Sequence, residues 1–366
     1  MSKLNDFEPW CVLLGSAEMG VAFKTSWPAA GLVYWRQKED EEWRLALGEA
    51  ENGLLCANST VQKVVLKNYC PELPLYFLPA AKPIAHFGPY EVQFQEEVRG
   101  REYSLRPVLK KGSLRMAVIC DLHNQSELLE DALGKEISEY TLCVFNGDTC
   151  DAPNGREDLE NNLCYPLAKM TALGLASIFV RGNHECRGAG ARLMPEYLPG
   201  FQGYYKAFTL GPVRLFFLDT GEDKPKDHEE YSGLIDFSEY LKKEAEWLQT
   251  EVISLYSHAV KWRLVFMHIP PRPFPGTKPY PLAEPGFKYF APILNGKGVD
   301  LVISGHEHQE AFWDREKMAP YGLDFPLVLG GGGWHHPERL KALDILLSED
   351  RFLLKNYKFS AKKRKI

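Results

Sequence analysis

The stretch from Thr141 to Asp148 reads TLCVFNGD and decides the fold class of this chain. Its short apolar run, bounded by polar residues, is typical of a buried strand, and Gly147-Asp148 follows at the point where the strand ends. Similar apolar runs recur through the rest of the chain. They are Arg115 to Cys120, Ser177 to Val180, Val213 to Leu218, Trp262 to Met267 and Val299 to Ile303.

Helical patterns lie between these runs. The clearest extends from about Asp236 to His258, where apolar residues recur at steps of three and four, as on one face of a helix. Those residues are Leu241, Ala245, Leu248, Val252 and Leu255. Alternation of buried strands with helices predicts a layered α/β domain.

The chain before this pattern has a different organisation. Up to about residue 110 it consists of short β-like segments separated by turn residues, for which a small antiparallel sandwich is the simplest assembly. Pro107 and the segment Lys110-Lys111-Gly112-Ser113 mark a linker. We therefore expect an all-β, fibronectin III-like sandwich at 1–110 and an α/β domain at 111–366.

Composition narrows the class of protein. The 366 residues are 45% hydrophobic and 25% charged, as in ordinary globular proteins, and the formal net charge is −6. A negative chain disfavours nucleic acid and anionic membranes as partners, because both attract positive surfaces. The terminal run Lys362-Lys363-Arg364-Lys365 suits either a nuclear address or, more simply, a solvated end.

The cysteines and the N-terminus indicate the compartment. The eight cysteines include no C-x-x-C pair, so a disulfide framework is not expected. The N-terminal residues do not resemble a secretory signal, and no run of about 18 apolar residues exists to span a membrane. A reducing cytoplasm is the expected location.

Five polar segments that follow apolar runs carry metal-ligand residues. They are Asp121-Leu122-His123, Gly147-Asp148, Gly182-Asn183-His184-Glu185, Met267-His268 and Gly305-His306-Glu307-His308. The carboxyl ends of parallel strands meet at one edge of a sheet, so residues distant in sequence should converge there. The segments supply two carboxylates, four imidazoles and one amide oxygen, more than one metal normally takes.

A bridging Asp148 would resolve this excess, because each of two ions then has four protein ligands. One set is Asp121, His123, Asp148 and His308, and the other is Asp148, Asn183, His268 and His306. Two metals about 3.5–4 Å apart can hold a hydroxide between them and bind phosphoryl oxygens during in-line displacement. Phosphoester hydrolysis is the natural use of such a centre.

The five segments closely resemble the calcineurin-like metallophosphoesterase family, whose motifs D-x-H, G-D, G-N-H-E, H and G-H-x-H occur here in order between Arg115 and Gln309. The resemblance implies a four-layer α/β/β/α sandwich, the ligand sets just given, and two divalent or trivalent ions such as Mn, Fe, Zn or Ni. It also implies that His184 contacts the phosphoryl group or assists departure of the leaving group.

A β-sandwich before such a domain is also similar to the purple acid phosphatases. Those enzymes carry G-D-x-x-Y, whose tyrosine binds ferric iron, whereas this chain has Asp151 at that position and retains His123. We therefore expect no tyrosinate–iron colour, and the identity of the metal stays open.

Several further residues are candidates with alternatives. Arg187 suits either a phosphate contact or a surface salt bridge, and His335 either lines the pocket or belongs to a tight turn with its glycine neighbours. Asp151 and Asn124 are candidate partners of the ligands. Three cysteines adjoin the ligand segments, although buried structural thiols are the commoner outcome; they are Cys120, Cys150 and Cys186. The proline-rich stretch from Pro270 to Gly286 is either a loop at the pocket mouth or a plain connection.

The leading hypothesis is a phosphatase for a small organic phosphate. A phosphodiesterase of the same family is the alternative, and a non-catalytic metal-binding interaction scaffold is the alternative of another class. The N-terminal sandwich is a candidate for covering the pocket, for binding a partner or for forming an oligomer.

Overall fold

The computed structural model describes residues 4–254, 260–277, 285–332, 337–357 and 359–362. The N-terminal region is all-β. Its strands are β1 (Trp10–Leu13), β2 (Glu18–Arg36), β3 (Arg44–Leu47), β4 (Ala50–Glu51), β5 (Leu54–Leu55), β6 (Ala57–Lys67), β7 (Leu75–Phe87), β8 (Val92–Phe94), β9 (Val98–Arg99) and β10 (Tyr103–Leu105).

Strands and helices alternate in the remainder of the chain. The strands are β11 (Leu114–Ile119), β12 (Leu142–Asn146), β13 (Ala176–Val180), β14 (Lys206–Leu210), β15 (Val213–Leu218), β16 (Trp262–Met267), β17 (Leu301–Ser304), β18 (Ala311–Trp313), β19 (Leu327–Leu329), β20 (Leu343–Leu347), β21 (Arg351–Leu354) and β22 (Phe359–Lys362). The helices are α1 (Leu129–Leu133), α2 (Arg156–Leu159), α3 (Tyr165–Ala172), α4 (Ser238–Ser254), α5 (Ala291–Leu294) and α6 (Arg315–Met318). Short 3₁₀ helices cover Ser126–Leu128, Gly134–Ser138, His184–Cys186, Ala189–Glu196, Ala319–Tyr321, Pro337–Arg339 and Lys355–Tyr357, and π-helical turns cover Glu160–Cys164 and Gly286–Phe290.

Two large sheets contain most of these strands. The first has the order β10-β7-β2-β1-β13-β12-β11-β20-β21-β22, with β3, β6, β8 and β9 paired beside this path. The second has the order β14-β15-β16-β17-β19-β18. Strands β11, β12 and β13 are mutually parallel, and so are β15, β16, β17 and β19, so each sheet has a parallel centre with its strand ends on one edge.

The alternation of side chains along the central strands produces the layers. In β11, Met116 and Val118 enter the core between the two sheets, whereas Ala117 and Ile119 belong to the core under the helices that begin at Arg156. The outer face of the second sheet packs against α4 in the same way. The predicted four-layer α/β/β/α architecture is confirmed.

Helix α4 covers most of the predicted helical segment. Its apolar face buries Leu241, Leu248 and Val252 against the second sheet, as the three- and four-residue spacing requires. The predicted end at His258 lies outside the described residues. No helix in the described part of the chain combines the length and apolar character needed to cross a bilayer.

The N-terminal region shares a sheet with the α/β region. Strand β1 pairs in parallel with β13 and antiparallel with β2, so it joins the N-terminal strands to the central ones. Trp10, which is fully buried, donates from Nε1 to the carbonyl of Tyr197 at 2.8 Å, and the Cys11 amide donates to Thr171 Oγ1 at 2.9 Å. An all-β N-terminal region is therefore present, and the division at residues 110 and 111 stays a prediction.

Candidate metal centre

The seven residues predicted as ligands meet at the carboxyl ends of the parallel strands of both sheets. The order along the chain is Asp121 and His123 after β11, Asp148 after β12, Asn183 after β13, His268 after β16, and His306 and His308 after β17. Strands of two facing sheets end at the same edge, which brings residues 187 positions apart into one cluster.

Sharp turns at the strand ends place these side chains. Five of them have positive φ angles, which non-glycine residues adopt at a cost of about 1–3 kcal/mol each and which cluster at functional sites. They are Asp121 (56°), His123 (43°), Asp148 (51°), His306 (71°) and His308 (50°). Gly147, with φ at 88°, allows one such turn, because a Cβ there would lie 2.2 Å from His268 Nδ1.

The first group of potential ligands consists of Asp121, His123, Asp148 and His308, whose ligand atoms all lie within 4.8 Å of one another. His123 Nε2 is 3.3 Å from His308 Nε2 and 3.7 Å from Asp148 Oδ2, and His308 Nε2 is 3.4 Å from Asp121 Oδ1. Three of the four side chains are buried. This group coincides with the first predicted ligand set.

The second group shares Asp148 with the first. Asp148, His268 and His306 converge within the same distance, and Asn183 Oδ1 lies 3.1 Å from His306 Nδ1. The backbone amide of His306 donates to both carboxylate oxygens of Asp121 at 2.9 and 3.0 Å, which ties the two groups together. The geometry thus places the second predicted ligand set beside the first.

Charge within the cluster governs its protonation. Burial disfavours the charged form of His268, but the carboxylates of Asp148 and Asp121 outweigh burial and raise its pKa to about 10. Burial likewise opposes ionisation of Asp148, yet His268, His184 and His123 hold its pKa well below the usual value. Imidazole ligates a metal only in its neutral form, so a bound ion would take the place of the His268 proton.

Asp148, which both groups share, and His268 present atoms that suit a metal ion. Asp148 Oδ2 and His268 Nε2 are 3.0 Å apart and buried, and within the described residues neither atom makes a hydrogen bond of acceptable geometry. His268 Nδ1 already donates to the carbonyl of Asn146 at 3.0 Å, which fixes Nε2 toward the cluster. Buried polar atoms without a well-oriented hydrogen bond are costly unless an ion satisfies them. Carboxylate, imidazole and amide oxygen are all ligands for divalent transition metals.

Glu185, the last residue of the G-N-H-E motif, organises two of the ligand loops, a role that the motif by itself did not reveal. It is fully buried, and its carboxylate accepts from the amides of Asp148 (2.9 Å), Gly182 (2.7 Å) and Cys150 (2.8 Å). Burial and then the neighbouring Asp148 raise the pKa of Glu185 to about 7, against the effect of these amide donors. Gly182 is required beside it, because a Cβ there would lie 2.2 Å from Asp148 Oδ1.

His184 lies next to the cluster and is oriented by Asp151. Its Nδ1 is 2.6 Å from the Asp151 carbonyl and 3.0 Å from Asp151 Oδ1, and the same carboxylate oxygen lies 3.4 Å from His123 Nδ1. The Asp151 amide donates to Asn124 Oδ1 at 2.9 Å. Burial lowers the pKa of His184, and the charge of Arg187 lowers it further. Both predicted partner residues therefore support the site.

Arg187 forms ion pairs and also lines the cavity, and its contact with phosphate stays a prediction. Its Nη1 lies 2.8 Å from His184 Nε2, and its Nε lies 3.0 Å from Glu230 and 3.7 Å from Glu222. A cavity of about 650 Å³ opens above this residue and the cluster. Its lining comprises Asp148, Asn183, His184, Arg187, Asp223, Lys224, Pro225, Glu230, His306 and His308.

The remaining candidates are placed as follows. Cys120, Cys150 and Cys186 are buried, burial raises the pKa of each thiol, and in the described part of the chain none of them joins a group of potential ligands. Arg272, in the proline-rich stretch, pairs with Glu307 of the final ligand loop. The predicted pocket residue His335 lies outside the described residues.

Comparison with known proteins agrees with this geometry. The family model for calcineurin-like phosphoesterase matches residues 114–310. The chain is similar in fold to the purple acid phosphatase PPD1 from yellow lupin (Lupinus luteus) seeds, with a TM-score of 0.68 and 13% identity over 98% of this chain and 72% of that one. A putative 5'-nucleotidase from Staphylococcus aureus aligns with a TM-score of 0.42 and 15% identity over 69% of this chain and 53% of that one. No curated protein sequence matches the chain.

Proposed function

We propose, from the premise that this chain belongs to the calcineurin-like phosphoesterase family, that it hydrolyses small phosphate esters at a centre of two metal ions. Membership of the family makes the protein a phosphoester hydrolase. The number of ions, the roles of individual residues and the size of the substrate are our proposals.

The position of Asp148 carries the proposal. This carboxylate belongs to both groups of converging ligands and is buried between them, with His123 Nε2 at 3.7 Å on one side and His268 Nε2 at 3.0 Å on the other. A shared carboxylate is the element that lets seven ligands hold two ions close together. Asp121, His123 and His308 would complete one site, and Asn183, His268 and His306 the other.

Bound ions would supply positive charge that binds phosphoryl oxygens and makes water more acidic. The protein side chains do the remaining work. Asp151 accepts from His184 Nδ1, so the other ring nitrogen, Nε2, faces the cavity, and Arg187 approaches that nitrogen as a donor. A phosphoryl group entering the cavity offers Arg187 oxygens that match its guanidinium better than an imidazole nitrogen does. His184 Nε2, once protonated, would donate to the oxygen of the departing alcohol.

The cavity supports a small substrate. A volume of about 650 Å³ lies within the usual range of about 300–1,000 Å³ for pockets that bind small molecules. The formal net charge of −6 disfavours a nucleic acid, which binds positive surfaces. We therefore propose a small organic phosphate, and the relative rates on a monoester and a diester decide which class is preferred.

Hydrolysis assays on the metal-loaded protein test this proposal. The protein is stripped with a chelator, loaded separately with Mn, Zn, Ni or Fe, and assayed on a chromogenic phosphomonoester and a chromogenic phosphodiester. Asp148→Asn should abolish measurable turnover because it disrupts both sites. His184→Ala should lower kcat about 10²–10⁴-fold while metal binding persists, as expected for loss of a group that moves a proton.

His86→Ala is the matched control, because His86 is an exposed histidine in the N-terminal region and should leave turnover unchanged. Binding of two ions without turnover on any ester would contradict catalysis and favour a metal-binding scaffold. Turnover in Asp148→Asn equal to that of the parent protein would contradict the shared carboxylate.

A further inference from the structure

The His306 imidazole lies between two oxygen atoms that can only accept hydrogen bonds. Its Nδ1 is 3.1 Å from Asn183 Oδ1, and its Nε2 is 3.2 Å from Asp223 Oδ2. Asp223 follows β15 and lines the cavity, but in the described part of the chain it belongs to neither group of converging ligands. Its contact is with the ring nitrogen that faces away from Asn183.

A neutral imidazole has one N–H and therefore satisfies only one of these two acceptors. A carboxylate is the stronger acceptor, because hydrogen bonds to an ionised group are shorter and roughly twice as strong as those between neutral groups. The proton consequently resides on Nε2, toward Asp223, and the lone pair of Nδ1 faces the oxygen of Asn183. Two lone pairs at 3.1 Å repel each other unless a cation lies beside both.

We infer that Asp223 is a positioning residue that selects the tautomer of His306 in which Nδ1, together with Asn183, binds the metal. This inference rests on the proposed two-metal function. It assigns Asp223 to the ion held by Asp148, Asn183, His268 and His306, and to no part of the other ion's site.

An ion pair joins the two segments that carry the acceptors. Arg181, two residues before Asn183, pairs with Asp219, four residues before Asp223. Asp219 also accepts from the Tyr240 hydroxyl at 2.8 Å, and the Arg181 guanidinium lies 3.7 Å above the ring of Tyr204. The segments on both sides of His306 are therefore joined to each other two residues before Asn183 and four residues before Asp223.

Asp223 itself is held by its neighbour. Its backbone amide donates to Glu222 Oε1 at 2.9 Å, and the Glu222 side chain is buried against the Tyr231 hydroxyl. Lys224, the next residue, also lines the cavity, and its ammonium lies 3.5 Å from Glu230 and 3.9 Å from Glu222. Lys224 is thus a matched control from the same wall of the cavity.

Stepwise metal affinity measured by competition with a chromophoric chelator tests the assignment. Asn183→Ala and His123→Ala serve as references, because each removes a ligand from a different ion. Asp223→Ala should reduce the affinity for the same ion whose binding Asn183→Ala weakens. The expected reduction is about 10- to 100-fold, the usual effect of removing a partner of a ligating histidine. Asp223→Asn keeps an oxygen acceptor but loses the charge, so it should reduce the affinity for that ion less than Asp223→Ala does, and Lys224→Ala should change neither affinity.

The tautomer can be observed without metal. Long-range ¹H–¹⁵N correlation spectra of the chelated protein, recorded at a pH where the spectra themselves show the His306 ring to carry one proton, should show that proton at Nε2, with His306→Ala identifying its signals. Asp223→Ala should shift the population toward Nδ1–H. Unchanged metal affinity in Asp223→Ala, equal weakening of both ions, or an Nδ1–H tautomer in the parent protein would overturn the inference. A parent protein that binds fewer than two ions would instead overturn the proposed function, whatever its tautomer.

Discussion

Removal of the Glu185 carboxylate should destabilise the protein and loosen both ligand loops that it joins. The side chain is fully buried and accepts three backbone amides, from Asp148, Gly182 and Cys150. In Glu185→Ala these three N–H groups lose their acceptor inside the protein. Because Asp148 is a proposed ligand and Gly182 precedes another, Asn183, the same change should weaken metal binding.

The magnitude follows from the number of amides left without a partner. Each buried unsatisfied donor costs about 1–3 kcal/mol of stability, and removal of a charge that repels Asp148 offsets part of the total. We therefore expect Glu185→Ala to reduce the free energy of unfolding by about 3–5 kcal/mol. Glu185→Gln keeps one oxygen. That oxygen can take the place of Oε2, which serves Asp148 and Gly182, and the new NH₂ then faces the Cys150 amide. One unsatisfied donor should cost about 1–3 kcal/mol.

Urea unfolding of the chelated protein, followed by circular dichroism, measures these losses. The buffer is mildly alkaline so that Glu185, whose pKa is about 7, is ionised in the parent protein. Glu229→Ala is the control, since Glu229 is exposed and should change the free energy of unfolding by no more than about 0.5 kcal/mol. A loss below about 1 kcal/mol in Glu185→Ala, or equal losses in the Ala and Gln variants, would refute the reasoning from unsatisfied amides.

Three further predictions concern other parts of the fold. Gly147→Ala should lower metal affinity and reduce the free energy of unfolding by at least about 1–3 kcal/mol, because φ is 88° and the new Cβ would clash with the ring of the proposed ligand His268. Gly15→Ala is the control, since Gly15 has open space around it and the substitution should change neither quantity. A chelator titration measures the metal affinity, and urea unfolding measures the stability. Leu264→Ala, in the core between the sheets, should reduce the free energy of unfolding measured in urea by about 2–5 kcal/mol. Leu45→Ala is the control, because Leu45 is 54% exposed and its removal should change that free energy little. The free energy of unfolding of Glu244→Gln should equal that of the parent protein at acid pH and should exceed it increasingly as pH rises. Burial holds the pKa of Glu244 well above the ordinary value, so the folded parent resists ionisation and loses stability above the unfolded pKa, by about 1.4 kcal/mol per pH unit. Equal pH dependence of the two unfolding free energies would contradict the Glu244 prediction.

The local sequence pattern was sufficient to predict the central strands and the set of potential ligands. Buried parallel strands are continuous apolar runs, so β12 is recognisable from TLCVF alone, and β15 and β16 have the predicted bounds. The Asp, Asn and His residues that follow those runs are rarely needed together for purely structural reasons. The carboxyl-end rule for parallel strands then predicts that they converge, and the structure brings Asp121, His123, Asp148 and His308 within 4.8 Å.

Residues that support the cluster could not be found in this way. Glu185 lies 37 residues from Asp148, Asp219 lies 38 residues from Arg181, and Asp223 lies 83 residues from His306. The G-N-H-E motif contains Glu185 without revealing its role, and nothing in the local pattern distinguishes Asp219 and Asp223 from solvent-exposed acids. Their roles depend on burial and on which amide or imidazole lies opposite, which only packed loops define. The same applies to β1, whose short apolar run joins the central sheet by pairing with β13.

The sequence by itself determined the layered α/β architecture, the family and the seven candidate ligands, because strand period and ligand chemistry are properties of short segments. The tertiary structure decided which carboxylate accepts from each buried amide and which nitrogen of His306 faces Asn183. Those outcomes depend on distances of a few ångströms between segments far apart in the chain, and only the packing of the two sheets against each other sets these distances.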